Sequence, residues 1–133
     1  MLLSARMMTD VGDVNTFRYV DSVEFTEGDA PAVYFQLIDR SKDKDYRPQG
    51  RRFCPAAAAT LQVVIKLVDS AKTITRFASQ PFAEDPSIWM LQLQSTDAIK
   101  GTVSFLLTLT EGAATTRGRL DAALSVSSQV QGF

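Results

Sequence analysis

The side chains with the types and spacing to do chemistry fall into three small groups. Cys54 follows Arg51 and Arg52, and positive charge beside a thiol lowers its pKa and raises its reactivity. Asp39, Asp43 and Asp45 crowd one segment, and closely spaced carboxylates can hold Ca²⁺. Arg47, Arg51 and Arg52 stand among Tyr46 and Phe53, a combination able to pair phosphates and stack on bases.

Each group also has a plainer reading. Nucleophilic catalysis needs a base beside the attacking Ser, Cys or Lys. The chain contains no histidine, so Ser–His and Cys–His pairs are impossible. No Gly-x-Ser-x-Gly turn occurs either. Cys54 is then read as a small apolar filler, inert as a thiol. Lys42 and Lys44 interrupt the aspartates, whose spacing does not fit an Asp-x-Asp-x-Asp-Gly calcium loop, so the segment reads as solvated. Glu84 and Asp85 are neighbours that would point in opposite directions on a strand, and no partner argues for them as an acid/base pair. The glycines are dispersed singly and make no phosphate-cradling loop. Trp89 reads as a core or interface anchor. The expectation is a protein with no catalytic residue, no cofactor and no metal.

The arginine cluster is better suited to protein carboxylates than to nucleic acid, because aspartates crowd it and the net charge is only −1. The same balance gives no pull toward an anionic membrane, and no apolar run approaches the ~18 residues of a spanning helix. The length of 133 residues suits one domain, and an apolar fraction of 45% is ordinary for a globular core. A single cysteine allows no intramolecular disulfide, which fits folding in a reducing cytoplasm. Residues 1–8 are apolar through Leu2, Leu3, Met7 and Met8 but lack the basic leader and long core of a signal peptide. They read as a short arm or a vestigial leader, with Met7 and Met8 offering an alternative start.

The elements that must position these groups announce themselves by a period of two. Phe17, Tyr19, Val23 and Phe25 share one parity, interrupted by Asp21. Val33, Phe35 and Leu37 follow after the Glu27–Pro31 break, and the short gap predicts a hairpin between these two strands. Alternation resumes over 61–67, 73–77, 88–93, 102–109 and 120–126, with turns at Asp69–Lys72 and Glu111-Gly112. Ala56–Ala59 reads as a turn or strand approach. About seven to eight strands at this spacing predict an all-β fold, a single antiparallel β-sandwich or jelly-roll, over residues 15–127. Residues 1–14 are then an N-terminal arm and 128–133 a tail. Phe35, Val63, Ile65, Val103, Phe105, Leu107 and Leu109 are expected to face the core.

Gly50-Arg51-Arg52-Phe53-Cys54-Pro55-Ala56 through Leu61-Gln62-Val63, Gln80-Pro81-Phe82 through Ser87-Ile88-Trp89, and Gly101-Thr102-Val103 to Thr110-Glu111-Gly112 resemble segments of small virion structural proteins of tailed bacteriophages. The first strand pair, ending in Phe35-Gln36-Leu37-Ile38-Asp39, is similar to sandwich domains of phage baseplate and tail-fibre connectors. The resemblance implies a non-enzymatic subunit of the virion, made in the bacterial host cytoplasm, such as a capsid decoration (cement) protein. The alternatives are a tail, neck or baseplate subunit, or a carbohydrate- or ligand-binding sandwich using Tyr46 and Trp89 as its platform. Expected partners are the major capsid protein or tail and baseplate proteins, and further copies of the chain. The residues expected to meet them are Leu2, Leu3, Met7, Met8, Tyr46, Arg47, Arg51 and Arg52.

Overall fold

The structure, a computed structural model, describes residues 2–41, 51–67, 72–97, 101–120 and 123–127. Eleven strands and no helix order these residues. They are β1 (Leu3–Asp13), β2 (Thr16–Val20), β3 (Ser22–Thr26), β4 (Ala32–Asp39), β5 (Arg51–Arg52) and β6 (Thr60–Leu67). β7 (Thr73–Ala78), β8 (Ile88–Gln92), β9 (Gly101–Glu111), β10 (Ala114–Leu120) and β11 (Ala123–Ser127) complete the set. Among the described residues no helix is long and apolar enough to cross a membrane.

All of them belong to one curled, mixed sheet. β9 is its spine: β6 lies antiparallel along one edge, and β10 and then β11 lie along the other. β10 meets the start of β1 in parallel, Leu3 opposite Gly118, and β1 pairs antiparallel with β4. β4 in turn carries β8 and the short β5. β7 flanks β6, and just beyond it Ser79 exchanges two backbone hydrogen bonds of 2.9 and 2.7 Å with Met90 of β8. The sheet therefore curls until its two ends touch.

The all-β expectation holds: five of the seven predicted strands each fall on one observed strand, the one over 17–26 falls on β2 and β3, and the one over 120–126 takes in the last residue of β10 and most of β11. The sheet is mixed, however, where an antiparallel one was expected: β1 joins β10 and β3 joins β11 in parallel. Alternation reports which face a residue takes and carries no information on the direction of the neighbouring strand. The expected hairpin between the strands over 17–26 and 33–38 does not form. The first of these splits at Asp21 into β2, which returns along β1, and β3, which goes to β11, while β4 pairs with β1, β5 and β8.

Residues 3–13 are a strand of this sheet, where an arm was expected. Leu3, Ala5 and Met7 point into the main core, and β4 holds Leu3 through Met8 in register. The alternation of Leu3, Ala5 and Met7 is masked in the sequence by Met8 and Leu2 on the opposite parity. Gly118 makes the junction with β10 close, since a Cβ there would sit 2.3 Å from the Leu3 carbonyl oxygen. The β9–β10 hairpin turns on Gly112, whose φ of 61° falls in the region that glycine enters without strain.

Phe35, Val63, Ile65, Val103, Phe105, Leu107 and Leu109 are all buried, on the face assigned to them. They join Trp89, Leu91, Leu61 and the β1 residues in one cluster inside the curl. Trp89 Nε1 is the one buried side-chain polar atom among the described residues without a partner. An unmet donor of this kind costs about 1–3 kcal/mol, and the indole's buried apolar area offsets it.

Candidate interaction surfaces

Of the residues expected at an interface, three turn inward. Leu3, Met7 and Met8 are buried within the chain's own fold, so they are not free to dock on a neighbour. Leu2 is exposed to 58%, just outside β1. Arg51 and Arg52 form β5, both exposed, on the edge of β4. Tyr46 and Arg47 lie outside the described residues, as do Asp43 and Asp45. Cys54 is exposed, where a core filler was expected. Pro55, next to it, takes the buried place.

Three carboxylates are buried and engaged: Asp39, expected to be solvated, Asp85, expected to lack a partner, and Asp97, on which no expectation rested. Asp39 Oδ1 accepts from the Leu2 N–H at 3.2 Å, the Ser41 N–H at 3.0 Å and the Ser41 hydroxyl at 2.5 Å. Burial pushes the Asp39 carboxyl up, but these hydrogen bonds together outweigh it and hold the group below its ordinary value. Asp85 Oδ1 accepts from the Ser87 N–H at 3.1 Å and the Ser87 hydroxyl at 2.5 Å, and Oδ2 takes Arg52 Nη1 at 3.1 Å. Asp97 receives the Arg76 guanidinium as a fork, Nε to Oδ2 at 3.0 Å and Nη2 to Oδ1 at 2.8 Å, with the Gln94 N–H at 2.9 Å. Serine two residues after aspartate (Asp39-Arg40-Ser41, Asp85-Pro86-Ser87) is the local signal that could have found two of them, because it closes an Asx-type turn. Glu84 stays exposed.

Around Asp85 the hydrogen bonds continue into a chain. Gln36 Nε2 donates to the Ser87 hydroxyl at 3.1 Å, and the Tyr19 hydroxyl donates to Gln36 Oε1. The Arg6 guanidinium lies 3.8 Å above the centre of the Tyr19 ring. Burial raises the Tyr19 hydroxyl's pKa, opposed by the Arg6 charge. Ser87 is fully buried and its hydroxyl both donates and accepts, so this chain closes the outer face of β4 as a brace.

A second region of the outer face, over β6, β7, β9 and β10, carries a surface of its own. Registers between β7, β6, β9 and β10 set Phe77, Gln62, Thr108 and Arg117 in one outward row. Thr75, Val64, Leu106 and Arg119 form the next. A groove of about 520 Å³ runs between Gln62, Val64, Leu106, Thr108, Arg117 and Arg119. Arg117, Arg119 and Lys66 are exposed, and no acid occupies an outward position of these four strands. Phe77 is exposed to 66%. The signal for this surface was present as Arg117-Gly118-Arg119, two arginines of like parity, but it becomes a surface only once β10 is placed beside β9.

No protein-family model matches the chain, and no curated protein matches it.

Proposed function

We propose that this protein is a non-enzymatic structural subunit of a bacteriophage virion, of the capsid decoration (cement) type, acting by binding neighbouring virion proteins. The observation that carries the reading is how the charged groups are spent. Asp39, Asp85 and Asp97 are each taken up by three hydrogen bonds that brace strands and turns. The cations Arg117, Arg119 and Lys66 are left on an open sheet face. Fixed braces and open faces suit a subunit that works by area. The resemblance of the Gly50–Val63, Gln80–Trp89 and Gly101–Gly112 segments to small virion proteins supplies the setting, and a tail, neck or baseplate position shares it. In this reading the curled sheet packs as a sandwich-like shell around one core, and the subunit needs no cofactor. Its partners are the major capsid protein or tail and baseplate proteins. The carbohydrate-binding alternative loses support, since Trp89 is only 2% exposed and offers no platform.

Leu2, Arg51 and Arg52 remain contact residues of this proposal, at one edge of β4. Mass spectrometry of purified particles tests it directly: the chain is expected at a copy number in step with a structural protein, and its absence sinks the assignment. Arg51→Glu, which leaves the Arg52–Asp85 pair in place, is expected to lower occupancy on particles while leaving a folded monomer. Unchanged occupancy would remove the β5 edge from the interface.

A further inference from the structure

We infer that the outer face of β6, β9 and β10 binds a second copy of this chain, through the acidic segment that begins at β3. The inference rests on the reading of the protein as an assembly subunit and adds the partner and the surfaces. Between Arg18 and Arg40 the sequence has no basic residue, while Asp21, Glu24, Glu27 and Asp29 are all exposed. The face over β6, β7, β9 and β10 is the reverse, with Lys66, Arg117 and Arg119 outward and no outward acid. Arg117, Arg119 and Lys66 have no ion-pair partner among the described residues.

The two patches lie on one continuous surface. Glu24 pairs with Ser125, and Ser125 with Thr102 of β9, an outward row. Arg119 pairs with Leu106, four residues further along β9. At ~3.3 Å per residue the acidic and basic rows are about 13 Å apart along the strand. A face with two opposite poles is self-complementary: a two-fold axis lying in the interface across the strand sets each copy's arginines over its partner's Glu24, with the exposed Asp21 just before β3 adding to the local negative charge. Val64 and Leu106, half-buried at the centre, and the exposed Phe77 supply apolar area between the poles. A polyanion such as nucleic acid fits the basic pole alone and meets the acidic pole and the net charge of −1 unfavourably. If one such contact per subunit is weak, repetition on a particle makes it count.

The test is a charge exchange on the full chain, read by sedimentation velocity at low ionic strength. The parent is expected to self-associate and to lose association as salt rises. Arg117→Glu with Arg119→Glu leaves both poles acidic, and Asp21→Lys with Glu24→Lys leaves both basic. Each variant alone is expected to be monomeric, with association weakened about tenfold or more by like charges set opposite each other. Mixed one to one, the two are expected to form a complex of two chains. Circular dichroism checks that each variant keeps its β signal, and Arg117→Gln with Arg119→Gln serves as a milder pair should the reversals not fold. A parent that stays monomeric at low salt and high micromolar concentration overturns the inference. So do variants that associate like the parent, a mixture that stays monomeric, or a parent that binds oligo-deoxythymidine in place of itself. A chain that is monomeric in solution yet present on particles breaks this inference alone. A dimer absent from particles breaks the virion reading and leaves the dimer standing.

Discussion

Over β1, β4 and β8 the outward side chains Ser4, Met8, Gln36, Ile38 and Ile88 are buried, whereas over β6, β9 and β10 the outward Gln62, Val64, Leu106, Thr108, Arg117 and Arg119 stay half-buried or exposed. Both regions belong to one sheet and follow one alternation. The first is roofed by Tyr19 from β2, by Arg6 above its ring, and by the Asp85–Ser87 turn with Arg52. Nothing among the described residues roofs the second. A polar group on an outer face is either enclosed and satisfied by its own chain or left for solvent or a partner. The difference therefore separates residues that hold the fold from residues available for contact.

Substitutions at three places, the shared core, the roof and the open face, probe that contrast. The largest effect is expected at the core both regions share. Phe105, 2% exposed on the inward side of β9, lies beneath the open face and touches the cluster that also backs the roofed one. Phe105→Ala is expected to cost about 3–5 kcal/mol in denaturant unfolding. A loss below ~1 kcal/mol would mean that β9 presents the other face to the core, and the two regions would exchange their roles.

A smaller effect is expected at the roof. Asp85→Ala strips the Ser87 hydroxyl and N–H of their acceptor and leaves Arg52 without its carboxylate, 3.1 Å away. Ser87 is fully buried, so its groups cannot turn to water. A loss of roughly 1–3 kcal/mol is expected. Arg52→Ala should cost less, because its side chain is 60% exposed and an exposed ion pair contributes little. If Asp85→Ala proved neutral, the hydrogen-bonded chain from Tyr19 to Asp85 would be decoration and the contrast would weaken.

The sequence made the interior legible and left the two outer faces largely unread, for a physical reason. Val103, Phe105, Leu107 and Leu109 alternate without interruption, and burial of one strand face is a local property of that strand. The roof is not local: Tyr19, Gln36, Arg52 and Ser87 come from four separated segments and meet only through pairings that alternation does not encode. β10 went unread because Ala114-Thr115-Thr116-Arg117-Gly118-Arg119 is polar on one parity and small on the other, with Gly118 selected by the approach of Leu3. The N-terminal strand was misread for a related cause, since Met8 is buried on the outer side and blurs the period. Among the site residues, Arg51 and Arg52 are exposed on β5, and Arg117 and Arg119 emerge only with the registers.

The smallest effect on stability is expected at the open face, and its smallness is what gives it meaning. Arg117 and Arg119 are exposed, and neither has an ion-pair partner among the described residues. Replacing both with glutamine keeps length and polarity and removes only charge. Surface changes of this kind usually fall within about ±0.5 kcal/mol, so Arg117→Gln with Arg119→Gln should unfold in denaturant at nearly the parent's midpoint. The same protein should lose self-association at low salt, because the charges it lacks face the acidic pole of a partner and not a group in its own chain. Stability and association are then separable on this face, while on the roofed face Asp85→Ala changes stability first. A loss of more than ~1 kcal/mol from the double glutamine variant would show that the arginines are spent within the fold, and the open face would have to be redrawn as a second brace.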